Sequence, residues 1–131
     1  MPPHRKASAV RTRMERLRER RNAAQTLRVA SPTATLIGVQ LKFHSVTKPL
    51  HAPQSFVLYP PARALFEFPC PYGDCDGIYD FGPEAKKTFS RDKSGVTGSV
   101  ECGGQRFRGG LQRQTCGLRV DYEIKAEHEP A

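Results

Sequence analysis

All four cysteines of this 131-residue chain lie between residues 70 and 116. Four residues separate the first pair, 13 separate the second pair, and 26 lie between the pairs. Thiolates bind zinc tetrahedrally at about 2.3 Å, and turns at the ends of hairpins can bring such ligands to one ion. Turn-forming residues, including Gly73, Gly77 and Gly103, stand beside the cysteines. We therefore predict a structural, four-thiolate Zn²⁺ site whose ligands are Cys70, Cys75, Cys102 and Cys116.

Other states of the cysteines are compatible with the sequence. They can be reduced thiols that only pack in a core, or disulfides, which need an oxidising compartment. Either His44 or His51 can replace one cysteine as a ligand, since both lie in or next to the first predicted turn region. A redox function is not expected, because the chain has no C-x-x-C pair.

Acidic residues cluster near the first cysteine pair, at Asp74, Asp76 and Asp80. They are candidates for acid–base chemistry or a second metal, but no serine, histidine or free cysteine stands at nucleophile spacing to them. A zinc ion with four thiolate ligands also has no open position for a water molecule. We therefore expect no catalytic site and no small-molecule substrate.

The stretch from Phe66 to Ile124 resembles a zinc ribbon. It has a strand, a cysteine turn, a return strand, a second cysteine pair and a final strand. A zinc ribbon usually has two residues between paired ligands, so the 13 residues between Cys102 and Cys116 form an inserted loop. The resemblance implies a small antiparallel fold held by structural zinc. The residues that carry it are Cys70, Pro71, Cys75, Gly77, Cys102, Gly103, Cys116 and Gly117.

The inserted loop, residues 103–115, is basic: it has three arginines and one phenylalanine but no acidic residue. Arginine contacts phosphates or stacks on bases, and an aromatic ring offers a further stacking surface. Part of the loop also resembles the RGG segments of RNA-binding proteins. A loop that is merely flexible is the alternative. The candidate nucleic-acid contacts here are Arg106, Phe107, Arg108 and Arg113.

Most of the net positive charge lies at the N-terminus. Residues 1–28 contain nine Lys/Arg and two Asp/Glu, whereas residues 29–131 contain twelve and eleven. Residues 1–9 are expected to be disordered, and helical spacing predicts a helix from Val10 to Leu27. The helix can be a solvated tail, a phosphate-binding arm or an element docked on the protein's own sheet. The candidate phosphate contacts are Arg11, Arg13, Arg16, Arg18, Arg20 and Arg21.

Alternation of apolar and polar residues predicts several short strands. It is clearest in residues 37–43 and 118–124, where one face is apolar and the other polar. Further strands are predicted at 56–59, 64–68, 77–81 and 96–101, with one helical turn at 83–87. The fold class is therefore mainly β: a small antiparallel sheet or meander with a zinc-ribbon-like C-terminal half and a basic N-terminal helix or disordered arm. The predicted segments are an arm at 1–30, a β domain at 31–126 that includes the ribbon-like segment 66–124, and a loose acidic tail at 127–131.

No apolar run reaches the roughly 18 residues that a membrane-spanning helix requires, and no secretory signal is evident. The expected location is the cytoplasm, although an arginine-rich start is also typical of organelle transit peptides. The expected function is that of a small zinc-stabilised nucleic-acid-binding protein, with DNA or RNA as partner. The alternative is a zinc-stabilised protein–protein interaction module that binds no nucleic acid.

Overall fold

The computed structural model describes residues 4–45, 51–108 and 112–130, without the side chains of residues 4–11, 108 and 112. Three helices and eight strands follow one another along the described chain. The helices are α1 (His4–Ala23), α2 (Leu27–Ala30) and α3 (Gly82–Lys86). The strands are β1 (Ala34–His44), β2 (Gln54–Leu58), β3 (Glu67–Pro69), β4 (Ile78–Asp80), β5 (Gly95–Glu101), β6 (Gln105–Arg108), β7 (Gln112–Thr115) and β8 (Arg119–His128).

The largest sheet has four antiparallel strands in the order β2-β1-β8-β5. Side chains of β1 and β8 point alternately to the two faces of the sheet. The inner face is apolar because it carries buried residues such as Ile37, Val39, Val120 and Ile124. The other residues of these strands form a polar outer face. These antiparallel sheets confirm the predicted mainly β fold.

The hairpin β3–β4 covers the inner face of this sheet. The Phe68 ring stacks on Phe56 of β2, with 4.5 Å between centroids, and Phe81 lies 4.9 Å from Tyr122 of β8. The hydroxyl of Tyr79 donates to the carbonyl of Leu118 at 2.7 Å. These contacts hold the hairpin that carries the first two cysteines against the sheet that carries the other two.

The N-terminal helix differs from its predicted span. It begins at His4, inside the segment expected to be disordered, and ends at Ala23 rather than continuing to Leu27. Beyond it the backbone pairs with a distant segment: the amide of Leu27 donates to the carbonyl of Ala62 at 2.8 Å. Leu17 is only 2% exposed, so α1 packs on the protein's own β structure. No described helix is long and apolar enough to span a membrane.

Other differences concern strand pairing. The third predicted strand does not extend the meander, because β3 pairs with β4 and not with β2. The loop 103–115 contains the hairpin β6–β7. Strand β8 continues to His128, inside the segment expected to be a loose tail, because His128 pairs with Ala34 of β1. The His128 ring also lies 2.8 Å from Thr33 Oγ1 and 2.8 Å from the carbonyl oxygen of Thr88. The helical turn at 83–87 corresponds to α3.

Candidate metal centre

The four cysteine sulfurs converge at one point of the molecule. All four Sγ atoms lie within 4.8 Å of one another. The distance is 3.7 Å between Cys70 and Cys116 and also 3.7 Å between Cys75 and Cys102. Cys70, Cys75 and Cys102 are buried, and Cys116 is partly buried. The structure thus brings the four predicted ligands together.

The two separations of 3.7 Å are close to those of a tetrahedral metal site. Four sulfurs bound at about 2.3 Å to a central zinc ion would be about 3.8 Å apart. A disulfide would instead require about 2.05 Å between two sulfurs, and all four cysteines are free thiols. The cluster can therefore hold one metal ion.

The first ligand turn, Cys70–Gly77, joins β3 to β4. The amide of Cys70 donates to the carbonyl of Gly77 at 3.0 Å and closes the turn. The amide of Gly77 donates in turn to Cys75 Sγ at 3.2 Å. A backbone N–H directed at a sulfur stabilises its thiolate form, which is the form that binds metal.

The second ligand pair lies where β5 and β8 leave the four-stranded sheet. The amide of Cys102 donates to the carbonyl of Leu118 at 2.9 Å, and the amide of Gly117 donates to the carbonyl of Cys102 at 3.1 Å. Gly117 has a φ of 64°, a conformation that favours glycine. The amide of Gly104 donates to Cys102 Sγ at 3.4 Å, as Gly77 does for Cys75. Each ligand pair thus has a glycine amide directed at a sulfur.

The two ligand elements touch through these glycines. A Cβ atom on Gly77 would overlap Cys102 Sγ and lie 3.2 Å from Gly104 Cα. A Cβ atom on Gly104 would overlap the backbone of Gly77. Gly104 was not among the predicted site residues. Both glycines lie two residues after a cysteine, so a C-x-G pattern in the sequence could have identified Gly104.

Protons are shared unequally among the thiols. Hydrogen bonds from Cys70 and Cys75 lower the pKa of Cys102 to about 4. The same hydrogen bonds to Cys102 raise the pKa of Cys70 and of Cys75. Neighbouring thiols can stabilise one thiolate in this way, but four adjacent thiolates require a cation among them.

The hairpin β6–β7 is attached to the first ligand turn. The amide of Phe107 donates to the carbonyl of Asp74 at 2.9 Å, and the amide of Gln105 donates to Asp76 Oδ1 at 2.8 Å. The Arg106 guanidinium makes two hydrogen bonds to Asp74, at 2.9 and 3.2 Å, and lies 3.6 Å from the centroid of the Tyr72 ring. Arg106, predicted as a nucleic-acid contact, is thus engaged inside the protein.

Two arginines of α1 contact distant parts of the chain: Arg13 is buried, whereas the side chain of Arg20 is 54% exposed. Arg13 is 7% exposed and its Nη1 donates to the carbonyl of Cys75 at 2.5 Å. Arg20 makes two hydrogen bonds of 2.8 Å from its Nε to Glu67, which is buried. With Leu17 between them, these residues form the docking face of α1. The apolar spacing used to predict the helix did not identify this face, because charged side chains make the contacts.

The other predicted nucleic-acid contacts are placed differently. Arg16, Arg18 and Arg21 are exposed on α1. Arg113 is exposed on β7, and its guanidinium lies 5.6 Å from the centroid of the Phe107 ring. The side chains of Arg11 and Arg108 lie outside the described residues.

The remaining polar candidates have structural contacts. His44 Nε2 lies 2.5 Å from Asp121 Oδ2, and the His51 ring lies 4.4 Å from that of Tyr72. Burial and, to a smaller extent, the charge of Arg106 lower the pKa of His51. Neither histidine belongs to the sulfur cluster. Asp80 accepts a hydrogen bond from the amide of Gly82 at 2.8 Å, at the start of α3.

Comparisons with models of known protein families, with curated proteins and with solved structures find no match to this chain.

Proposed function

We propose that this chain is a small nucleic-acid-binding protein stabilised by one structural zinc ion. Cys70, Cys75, Cys102 and Cys116 are the proposed ligands, in a zinc-ribbon-like arrangement of two cysteine pairs. Four sulfurs in a tetrahedral arrangement suit zinc or iron, and zinc performs a structural role without redox chemistry. Thiolate ligands must remain reduced, so the proposed compartment is the cytoplasm.

The role proposed for zinc is to hold the fold. Four thiolates complete its coordination shell, which leaves no position for substrate or water. In zinc-finger peptides a structural zinc ion contributes about 10–16 kcal/mol of apparent binding free energy. The first ligand turn lies between two strands of only three residues each, so it has few other interactions of comparable size.

The observation that carries the nucleic-acid proposal is that both basic elements are anchored on the same ligand turn. Helix α1 contacts this turn through Arg13, and the β6–β7 hairpin contacts it through Arg106. The anchoring leaves the guanidinium groups of other arginines exposed on the two elements, where they can bind phosphates. Arg20 is also exposed but is paired with Glu67, so the exposed arginines proposed to bind phosphates are Arg16, Arg18, Arg21 and Arg113.

A salt titration of the zinc-loaded protein tests this function. Affinity for single- and double-stranded DNA and RNA is measured by fluorescence anisotropy between about 50 and 200 mM salt, where phosphate contacts weaken steeply. We expect the triple variant Arg16→Gln, Arg18→Gln and Arg21→Gln to bind more weakly. Its salt slope should become shallower by about one for each phosphate that the variant no longer binds.

A matched control removes three exposed charges elsewhere, as Lys86→Gln, Lys87→Gln and Lys93→Gln. This control should leave affinity nearly unchanged. Equal falls in affinity in both triple variants would indicate a general charge effect and not a site. Absence of binding to every nucleic acid at low salt would contradict the proposed function.

The second candidate function is binding to a protein partner. Val57 and Tyr59 are 52% and 57% exposed, in and beside the edge strand β2. Exposed apolar side chains on a sheet edge suit the addition of a strand from a partner. Zinc-loaded protein that binds no DNA or RNA at low salt would favour this second function.

A further inference from the structure

Arg13 makes an unusual set of contacts with the first ligand turn. Its Nη1 donates to three backbone carbonyls, those of Cys75 at 2.5 Å, Gly77 at 3.3 Å and Cys70 at 3.4 Å. Two of these carbonyls belong to proposed metal ligands. Arg13 therefore connects α1 directly to the backbone that positions two of the four sulfurs.

The charge of Arg13 is not balanced by a carboxylate. Arg20, two turns further along the same helix, is paired with Glu67, but in the described part of the chain no carboxylate lies within ion-pair distance of Arg13. Its Nε is also buried without a hydrogen-bond partner. Burying an unpaired cation is energetically costly, so a nearby anion is expected.

The proposed metal centre supplies that anion. Four thiolates around a divalent zinc ion carry a net charge of minus two. The backbone amides of Gly77 and Gly104 donate to two of the sulfurs but carry no net charge. A guanidinium fixed on the carbonyls of the ligand turn reduces this excess negative charge. Groups outside the ligand shell that do so typically change metal affinity about 10- to 100-fold.

We propose that Arg13 is the counter-charge of the metal centre, so that metal binding and the docking of α1 are one coupled equilibrium. This inference rests on the proposed zinc site. Coupling is reciprocal: if docked Arg13 strengthens metal binding, bound metal strengthens the docking of α1 by the same factor. Metal loss then frees a basic helix.

The test measures Zn²⁺ and Co²⁺ affinity of full-length protein by competition with a chelator. We expect Arg13→Gln to lower affinity about 10- to 100-fold, and Arg13→Lys, which keeps the charge, to restore part of that affinity. Arg20→Gln is the matched control. It removes the other docking contact of α1, which is made to Glu67 of β3 and not to the ligand turn. It should lower metal affinity less than Arg13→Gln.

A second measurement keeps the inference testable if Arg13→Gln does not fold. Hydrogen exchange of α1 in the unaltered protein should slow on addition of Zn²⁺, and exchange that is equal with and without Zn²⁺ would overturn the coupling. Equal metal affinity of Arg13→Gln and the unaltered protein would also overturn it. If the unaltered protein binds neither ion, the proposed zinc centre itself fails.

Discussion

Cys102 and Cys116 lie at the end of a four-stranded sheet, whereas Cys70 and Cys75 lie on a hairpin with three residues in each strand. Strands β5 and β8, which lead to the second pair, are joined by seven residue pairs. Strand β8 also pairs with β1 along its whole length. The backbone around the second pair is therefore fixed by sheet hydrogen bonds and by the apolar core.

The first ligand turn depends on contacts of another kind. Only three residue pairs join β3 to β4. The turn itself is held by the guanidinium of Arg13 on one side and by the ion pair of Asp74 with Arg106 on another. The second cysteine pair is thus positioned by the sheet, whereas the first pair is positioned by charged side chains and, in the proposed centre, by the metal. We expect the first turn to be the part most sensitive to metal loss.

The largest effect is expected for Cys75→Ser, which removes a proposed metal ligand from the first turn. Loss of the ion would remove much of the roughly 10–16 kcal/mol that structural zinc contributes, which is comparable to the whole stability of about 5–15 kcal/mol of an ordinary domain. Residues 66–124 should therefore unfold. Elemental analysis and thermal melting followed by circular dichroism test this. Retention of one zinc per chain with a cooperative melt would refute the assignment.

The contact between the two ligand elements can be broken with one methyl group. Gly77→Ala places a Cβ atom against Cys102 Sγ and Gly104, so metal affinity should fall roughly 10- to 100-fold. The matched control is Gly73→Ala in the same turn, where a Cβ atom meets nothing within 4 Å. Chelator competition compares the two variants. Equal affinities would show that the close approach of the turns is not needed for metal binding.

The attachment of the β6–β7 hairpin to the first turn depends on Asp74. Asp74→Asn removes the charge that binds Arg106, and both side chains are only 15% exposed. The expected loss is about 1.5–3 kcal/mol of unfolding free energy, as for hydrogen bonds to charged groups. Urea denaturation measures it. Asp92→Asn, at an exposed position, is the control and should change stability little.

A change in the sheet should affect stability without affecting the metal. In Gly98→Ala the new Cβ atom would lie 2.7 Å from Cζ of the Tyr122 ring, so overpacking should cost about 1–3 kcal/mol. Gly38→Ala is the control, because its nearest contacts lie at 4.0 Å. Denaturation gives the stability and chelator competition gives the metal affinity of the folded protein. A large fall in metal affinity would contradict the separation of the two regions.

The smallest effect concerns the polar outer face of the sheet. A hydrogen bond from Ser99, and then one from His44, hold the pKa of Asp121 below its ordinary value of 3.8. Because the pKa is lowered in the folded state, this group stabilises the fold above its unfolded pKa, and the contribution disappears as pH falls through the folded pKa. Ser99→Ala should raise the pKa of Asp121. Carbon NMR titration of its carboxyl group measures the change, with Ser55→Ala as control.

The strands that form the sheet were predictable from local patterns. Alternation identified β1 and β8 because one face of each is buried, and Ile37, Val39 and Ile124 are fully buried as the pattern requires. The four cysteines were recognisable by residue type and by the glycines beside them. Sequence could not predict the β6–β7 hairpin, because a glycine-rich arginine segment has no apolar alternation and is held by contacts to residues about 30 positions away.

The sequence by itself thus determined the mainly β character of the chain, the four cysteines that form the cluster and the concentration of positive charge at the N-terminus. Only the tertiary structure decided which arginines bind to other parts of the protein. Arg13 contacts carbonyls 57 to 64 residues away, and Arg20 binds a carboxylate 47 residues away. All arginines of one helix have the same charge and the same helix propensity. Local sequence therefore cannot show which of them contact other parts of the protein. Long-range packing alone buries Arg13 against the first ligand turn and pairs Arg20, which stays exposed, with Glu67.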